Sequence, residues 1–478
     1  MAPYLKYRNS IAAIALGKAA GIASRLIGYG GGTSAPGLLA LRIDRELVSK
    51  LSSQLTQGSI LVTGTNGKTT TARLIANMAR QINLATVHNS SGSNLMRGIA
   101  TALLKQASLT ASFSHAGRTL GVFEVDEATL PEAIHEISPK TIVINNLFRD
   151  QLDRYGELDT VAATWKMALD GLSDSATLVL NADDPLVASL GENAKGKVVY
   201  FGMESGPWSR DRMEHAADSV VCIKCQRPLE YSSVFLGHLG HYHCPHCGWS
   251  RPTPTVSASN IELRSFKESS VRVKHGGDYI SIDTDLPGLY NVYNITASIA
   301  AAIALDIPKW AIEAGIRGSE VVFGRGERLW LAGRKVYLVL AKNPVGMNQV
   351  LNTLLTDEGD LNIMFILNDL LADGRDISWI WDVDFECLKD RVGLIAASGR
   401  RAEDMAVRLR YANLVGNGGP EGINQALVDT NIGHALDAAI SSIKENGSLY
   451  IVPTYTAMLE VRSLLAKKGV LKNYWSSN

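Results

Sequence analysis

The segment that most narrows the possible folds is Ser59-Ile60-Leu61-Val62, followed at once by Thr63-Gly64-Thr65-Asn66-Gly67-Lys68-Thr69-Thr70. A buried strand leads into a glycine turn, and a helical pattern then runs over 69–82. A strand without polar alternation belongs inside a parallel sheet covered on both faces. The glycines let the backbone curl so that successive N–H groups and the helix N-terminus face an anion. In that setting Lys68 reaches the β- and γ-phosphates of a nucleotide and the Thr69 hydroxyl ligates Mg2+, with Gly64, Thr65, Asn66, Gly67 and Thr70 completing the cradle. The spacing departs from the standard Walker A loop, because Val62 stands where its first glycine would be. A helix-capping turn without ligand is the competing reading, and Gly-Lys-Thr-Thr between strand and helix weighs against it.

Around this loop the chain alternates strand and helix. Strands are expected at 119–125, 141–144 and 176–180, with helical spacers, which indicates a parallel α/β sheet. Before the loop, 9–28 reads as a helix, Gly30-Gly31-Gly32-Thr33-Ser34-Ala35-Pro36-Gly37 as a loop, and 44–55 as a second helix. The stretch 213–254 breaks the rhythm and carries all four paired cysteines, so it reads as an insertion. Shorter strand-like segments and a helix over 294–305 follow. A fresh α/β pattern begins near Arg334, with strands at 335–341, 362–367, 391–397 and 448–452, and a domain boundary at 318–328. The 478 residues are enough for about three domains.

Two further motifs carry chemistry. The acidic strand end Phe123-Glu124-Val125-Asp126-Glu127 places carboxylates over the phosphate crevice of a parallel sheet. One of them, Glu124 first, suits a Mg2+ that bridges phosphate oxygens; a charged strand-to-helix turn is the alternative. The second motif is Cys222-x-x-Cys225, eighteen residues, then Cys244-x-x-Cys247. That is the spacing of a four-thiolate zinc site, closed and therefore structural. His238, His241, His243 and His246 are rival ligands that two such knuckles do not need. Redox use is the weaker reading, since redox motifs rarely come as a spaced pair.

Taken together these segments resemble the Mur ligase superfamily, the ATP-dependent amide ligases of peptidoglycan assembly. The resemblance lies in the Gly-Thr-Asn-Gly-Lys-Thr-Thr loop, Asp150-Gln151-Leu152-Asp153-Arg154-Tyr155, Asn181-Ala182-Asp183-Asp184-Pro185, Leu289-Tyr290-Asn291-Val292-Tyr293-Asn294 and Phe323-Gly324-Arg325-Gly326-Glu327-Arg328. The four-cysteine ribbon, the N-terminal glycine-rich arm and Asp373-Gly374-Arg375-Asp376-Ile377-Ser378-Trp379 resemble one branch, the MurT subunits of lipid II isoglutaminyl synthase. Ala341-Lys342-Asn343-Pro344 and the run from Ser398 to Met405 belong to the same likeness. It implies a helical arm at 1–57 and a central ATP-binding domain with a parallel sheet at 58–320, with the zinc ribbon inserted at 213–254. A smaller α/β C-terminal domain at 321–478 would contact a partner.

The resemblance also implies a reaction. ATP phosphorylates the α-carboxylate of D-glutamate in the lipid II stem peptide, and ammonia attacks the acyl phosphate to give D-isoglutamine. A separate glutaminase subunit, GatD, would supply the ammonia, as a heterodimer or a higher assembly. By position Asn294 would meet adenine and Arg325 the phosphates. Lys166 lies where many Mur ligases have a carbamylated lysine that holds Mg2+, and a plain helix-surface lysine is its alternative. Gln151 departs from the family's usual histidine. Asp373 or Asp376 would complete the partner's Cys–His pair, with Asp376 favoured slightly; a polar turn is the alternative for both. Cys387 sits in no nucleophile motif, which agrees with a separate glutaminase.

Rival functions fit less well. A folylpolyglutamate-synthetase-like ligase shares the phosphate loop and leaves the ribbon unexplained. A zinc-ribbon ATPase on nucleic acid meets 47 Lys plus Arg against 47 Asp plus Glu, a net charge of zero, which disfavours a globally basic binder. A non-catalytic scaffold has no need of an intact phosphate loop. No apolar run reaches the ~18 residues of a membrane span, and the 9–28 segment fits an amphipathic helix better than a signal peptide. The expected location is the cytoplasm, with docking of that helix at the inner membrane face motivated by a lipid-linked substrate.

Overall fold

Strand β1 (Ser59–Thr63) is buried along its whole length, as a strand in the middle of a two-sided sheet must be. The structure is a computed structural model, and it describes residues 8–27, 34–89, 93–113, 118–149, 158–319, 325–415 and 427–471. The further strands of the central region are β2 (Ala85–His88), β3 (Thr119–Glu124), β4 (Thr141–Ile144), β5 (Thr177–Asn181), β6 (Lys197–Met203), β7 (Glu230–Leu236), β8 (Leu239–His243), β9 (Val256–Arg264), β10 (Glu268–His275) and β11 (Asp278–Thr284). Among the described residues, nine of these form one sheet in the order β11-β10-β9-β6-β5-β4-β1-β3-β2. From β2 to β9 the pairing is parallel; β10 and β11 close the edge as an antiparallel meander.

Alternate side chains of the strands feed two cores. Ile60, Val62 and Val143 point to one face, under the helices Lys68–Gln81 and Leu289–Ala304. Leu61, Ile142 and Ile144 point to the other, with Ile14, Leu47, Ile99, Leu103 and Trp165. The N-terminal helices thus share the core of the central sheet rather than forming one of their own. Burial of these aliphatic side chains, worth about 1.5–3 kcal/mol each, holds the two layers on the sheet.

The expected helix at 44–55 is shorter, Leu47–Ser52, and a separate helix precedes it. Ala35–Ile43 is already helical and Leu47–Ser52 follows after a break at Asp44. Pro36 starts the first piece, its fixed φ suiting a first helical turn, so part of the expected loop is helix. Gly37 is needed there by contact: a Cβ on it would lie 1.9 Å from the Arg97 carbonyl oxygen of the crossing helix Met96–Gln106. Asp44 accepts from Ser10 Oγ at 2.5 Å and pairs with Lys50 at 3.0 Å, tying both pieces to the Arg8–Ile27 helix.

The C-terminal region builds a second sheet from β12 (Arg325–Leu331), β13 (Arg334–Val339), β14 (Leu361–Ile366), β15 (Val392–Ser398), β16 (Leu427–Asp429) and β17 (Ser448–Pro453). Their order is β12-β13-β17-β14-β15-β16, parallel except for the β12–β13 pair. Ile363 and Phe365 face one core, Met364 and Ile366 the other. No helix among the described residues is long and apolar enough to cross a membrane.

Candidate functional site

Order in the central sheet puts β1 between β3 and β4. Chains leaving β1 to opposite sides open a crevice at the strand ends, where α/β proteins bind ligands. The loop after β1 occupies it. Gly64 and Gly67 have φ of 126° and 86°, where a side chain is strained. A Cβ on Gly67 would also stand 1.9 Å from Asn294 Oδ1, so the loop and the Leu289–Ala304 helix touch at a point only glycine allows. Asn146, just past β4, accepts from Asn66 N at 2.9 Å through its side chain and from Thr65 N at 3.1 Å through its carbonyl.

The Lys68–Gln81 helix has no side-chain cap at its N-terminus, leaving its first N–H groups available to an anion. Lys68 is buried, donating to Gly64 O at 2.6 Å and pairing with Glu127 Oε2 at 3.1 Å. Its partner is therefore Glu127, the last carboxylate of the acidic motif. Glu124 ends β3 beside Val62 and is buried; Asn89 brackets its backbone, accepting from Glu124 N and donating to Glu124 O, both at 2.8 Å. Around the loop the buried atoms Thr63 Oγ1, Asn66 Nδ2, Thr70 Oγ1 and Asn145 Oδ1 have no hydrogen-bond partner among the described residues. Each such atom costs about 1–3 kcal/mol, and a polar ligand in the crevice would recover part of that. This donor set fits a Mg2+-bound nucleotide phosphate.

Next to the loop a cleft is lined by Asn66, Gly67, Asn146, Tyr290 and Asn294 on one side and by Ala341, Asn343 and Val350 of the C-terminal region on the other. The expected adenine residue Asn294 therefore sits beside the phosphate loop, donating to Asn291 Oδ1 at 3.1 Å. Lys166 is exposed on the helix Leu158–Asp170 and makes no hydrogen bond or ion pair among the described residues, whereas its buried neighbour Trp165 donates to Glu127 O at 2.8 Å. Arg325 begins β12, but its side chain, like Asp150, Gln151 and the rest of 150–157, lies outside the described residues.

Asn-Ala-Asp-Asp-Pro proves to be scaffold. Asp183 accepts from Tyr293 Oη at 2.7 Å, Met203 N at 2.8 Å and Arg251 Nε at 2.6 Å. Asp184 caps Val187 N and accepts from Leu147 N at 2.8 Å. Asn145 and Asn146 open the polar run that continues into Asp150–Tyr155, and Asn89 alone was not among the sequence candidates. The asparagine pair was visible as a polar end to a buried strand, whereas Asn89 follows a strand that only the sheet order brings to Glu124.

The four cysteines converge, all sulfurs lying within 4.8 Å of one another. Cys222 and Cys247 are 3.6 Å apart and Cys225 and Cys244 3.5 Å, with no disulfide. A tetrahedron of thiolates about 2.3 Å from zinc has edges near these values. The two knuckles are copies: Gln226 N donates to Cys222 O and Gly248 N to Cys244 O, with both residues at positive φ. The cluster could hold a metal ion.

In the C-terminal region the two aspartates part company. Asp373 is buried and accepts from Thr456 N at 2.8 Å and from the Thr456 hydroxyl, capping the helix Tyr455–Lys467. Asp376 is exposed and accepts from Ser378 N at 2.8 Å, at the start of the short 3-10 turn Ser378–Asp382. Arg408 fixes that turn from below, donating to Ile380 O and Val383 O and forking onto Glu386.

A phosphate loop at the switch point of a central sheet, facing a second α/β sheet across a cleft, defines a Mur-type ATP-dependent ligase. Residues 62–245 match the Mur ligase middle domain and residues 340–458 the MurT ligase C-terminal model. The chain is 34% identical to the lipid II isoglutaminyl synthase (glutamine-hydrolyzing) subunit MurT of Streptococcus pneumoniae, over 96% of this chain and 98% of that one. Its counterpart in Staphylococcus aureus is 33% identical over 84% and 88% of the two chains. The chain belongs to the MurT family. Solved structures of a pseudomurein peptide ligase type C from Methanothermus fervidus (TM-score 0.67, 22% identity, 87% of this chain and 80% of that one) and of MurF from Acinetobacter baumannii (TM-score 0.64, 17% identity, 90% and 80%) share the fold.

Proposed function

We propose that this chain is the synthetase subunit of a lipid II isoglutaminyl synthase. The α-carboxylate of D-glutamate in the lipid II stem peptide takes the γ-phosphoryl group of ATP, releasing ADP. Ammonia attacks the acyl phosphate carbon, phosphate leaves with the C–O bond electrons, and loss of a proton gives D-isoglutamine. The observation that carries this reading is the phosphate loop, with Lys68 held in reserve on Glu127, in a chain that matches MurT almost end to end.

Lys68 and the free N–H groups of its helix bind and orient the phosphates, and Asn294 flanks the base. Thr69 and Glu124 are the groups that would hold Mg2+, which when bound supplies Lewis-acid charge at the phosphate oxygens. Zn2+ is the ion suited to the four cysteines, in a closed shell with no catalytic position. Lys166 and Arg325 keep their proposed roles as metal-side and phosphate-side residues. The work is done at the cytoplasmic face of the membrane, where lipid II presents its stem peptide.

Incubation with lipid II, ATP and ammonium, without any glutaminase, tests this. The expected product carries the mass change of one carboxyl converted to amide. ATP-dependent modification of some other group, or none at any ammonium concentration, would remove the substrate assignment.

GatD is the proposed source of ammonia, and Asp376 the proposed aspartate that orients its catalytic histidine. Exposure of Asp376 supports this choice over Asp373, as does the surface nearby, where Trp381, Tyr411 and Leu371 are all exposed. Losing such an aspartate costs a triad up to ~10⁴-fold in turnover. Asp376→Asn should therefore suppress glutamine-driven amidation by at least ~100-fold while leaving the ammonium-driven reaction and the melting temperature unchanged. Asp373→Asn should instead lower stability by about 1 kcal/mol, the worth of a helix cap. The reverse pattern in the two variants would exchange their assignments.

A further inference from the structure

We propose that the four-cysteine insertion is a wall of the nucleotide pocket, its hairpin tip positioning the base and Glu214 clamping that tip to the C-terminal domain. This rests on the reading of the cleft beside the phosphate loop as the ATP site. Leu236 ends β7 and Leu239 begins β8, and both, buried in the central core, line the cleft together with Tyr290, Asn294 and Val350. They are the apolar side chains that the insertion adds to a pocket whose other lining combines amide and tyrosine groups with Val339, Leu340, Ala341 and Val350.

The tip is held in place by three ties. Gly237 has φ 55°, and a Cβ on it would come within 3.0 Å of the Phe148 ring. His238 is fully buried and packs on that same ring, with centroids 4.5 Å apart. Phe148 in turn bonds the phosphate loop, its N–H donating to Thr65 Oγ1 at 2.9 Å and its carbonyl accepting from that hydroxyl at 3.1 Å. The tip therefore leans on the strand end that holds the loop.

Glu214 supplies the third tie. Its buried carboxylate accepts from Gly237 N at 3.0 Å in the tip and from Asn352 Nδ2 at 3.0 Å and Asn348 Nδ2 at 3.4 Å in the helix Pro344–Leu354, and it pairs with Arg210. That helix carries Gly346, Gln349 and Val350 to the other side of the cleft. One carboxylate thus joins two walls of the pocket that come from different domains. At the root of the hairpin, Cys244 follows β8 directly, so the metal cluster anchors the end opposite the tip. Glu214 touches no ligand in this arrangement and is a positioning residue.

In the proposed arrangement the wall meets the base and not the phosphates, and this separates positioning from plain structural support. The full chain with its metal would be titrated with MgATP and with magnesium tripolyphosphate, which lacks the base. Leu239→Ala is expected to weaken MgATP about tenfold, the worth of one lost apolar contact, and to leave tripolyphosphate unchanged. Glu214→Gln, which keeps the side-chain size, should shift the two ligands in the same selective way. Unchanged MgATP affinity in both variants, or equal loss of both ligands in a variant that keeps its melting transition, overturns the proposal. Should Leu239→Ala lose its melting transition, Glu214→Gln decides by the same pair of ligands. A native chain that binds MgATP at no concentration would overturn the ATP-site reading itself, and this inference with it.

Discussion

Replacing Lys68 with alanine is expected to reduce ATP-dependent amidation by at least ~10³-fold, the scale seen when a preorganised charge is removed from a transition state. The same substitution should also destabilise the fold. Lys68 and Glu127 are both buried, at 7% and 5% exposure, and are joined at 3.1 Å. Removing one partner leaves a buried charge uncompensated, a loss of about 3–5 kcal/mol unless the carboxylate takes up a proton. The two effects separate in the double variant Lys68→Ala, Glu127→Gln. Its neutral amide removes the stranded charge, so stability should recover while activity stays lost. Thermal unfolding and ammonium-driven turnover on the three proteins check this. Turnover of the double variant near the native rate would mean that Lys68 is a structural ion-pair partner and no more.

Stripping the metal from the cysteine cluster should have the other large effect. Structural zinc contributes apparent binding energies of about 10–16 kcal/mol in small zinc domains, and the knuckles here have little else to hold them. Their own core is the small cluster of Cys222, Cys244, Leu229, Tyr242 and Ala188. In the folded native chain with its metal no thiol should react quickly with an aromatic disulfide reagent: the cluster cysteines are ligated, and burial of the Cys387 thiol pushes its pKa up to about 12, leaving little thiolate. After chelation the four cluster cysteines should react quickly, with release of one equivalent of metal, while Cys387 stays slow. Cluster thiols reacting quickly in the untreated protein, with no metal by elemental analysis, would show that the cluster is empty as the protein is isolated. Cys222→Ser should mimic chelation, since three thiolates leave a tetrahedral shell open.

Much of this site was legible before any fold was known, because its chemistry is local. A phosphate loop is eight consecutive residues, and each cysteine knuckle closes through its own backbone, Gln226 N to Cys222 O and Gly248 N to Cys244 O. Strand boundaries were legible for a similar reason: β4 and β17 are short unbroken apolar runs, and such runs read the same in sequence and in sheet. Less was legible at the N-terminus, where Pro36 and Gly37 look like a loop and are helix. The deciding contact is with Arg97, sixty residues away in sequence.

The sequence by itself determined the kind of chemistry and the kind of fold: a strand-loop-helix that binds phosphate, a four-thiolate knuckle pair and two α/β regions. Only the tertiary structure decided which groups meet. It paired Lys68 with Glu127 rather than Glu124 and buried Asp373 as a helix cap while exposing Asp376. It also brought the tip of the insertion to the cleft beside the phosphate loop. The physical reason is range. Turns, caps and apolar periodicity are set by neighbours in the chain. An ion pair spanning fifty-nine residues or a carboxylate shared between two domains exists only once sheet order and helix packing have fixed the distances.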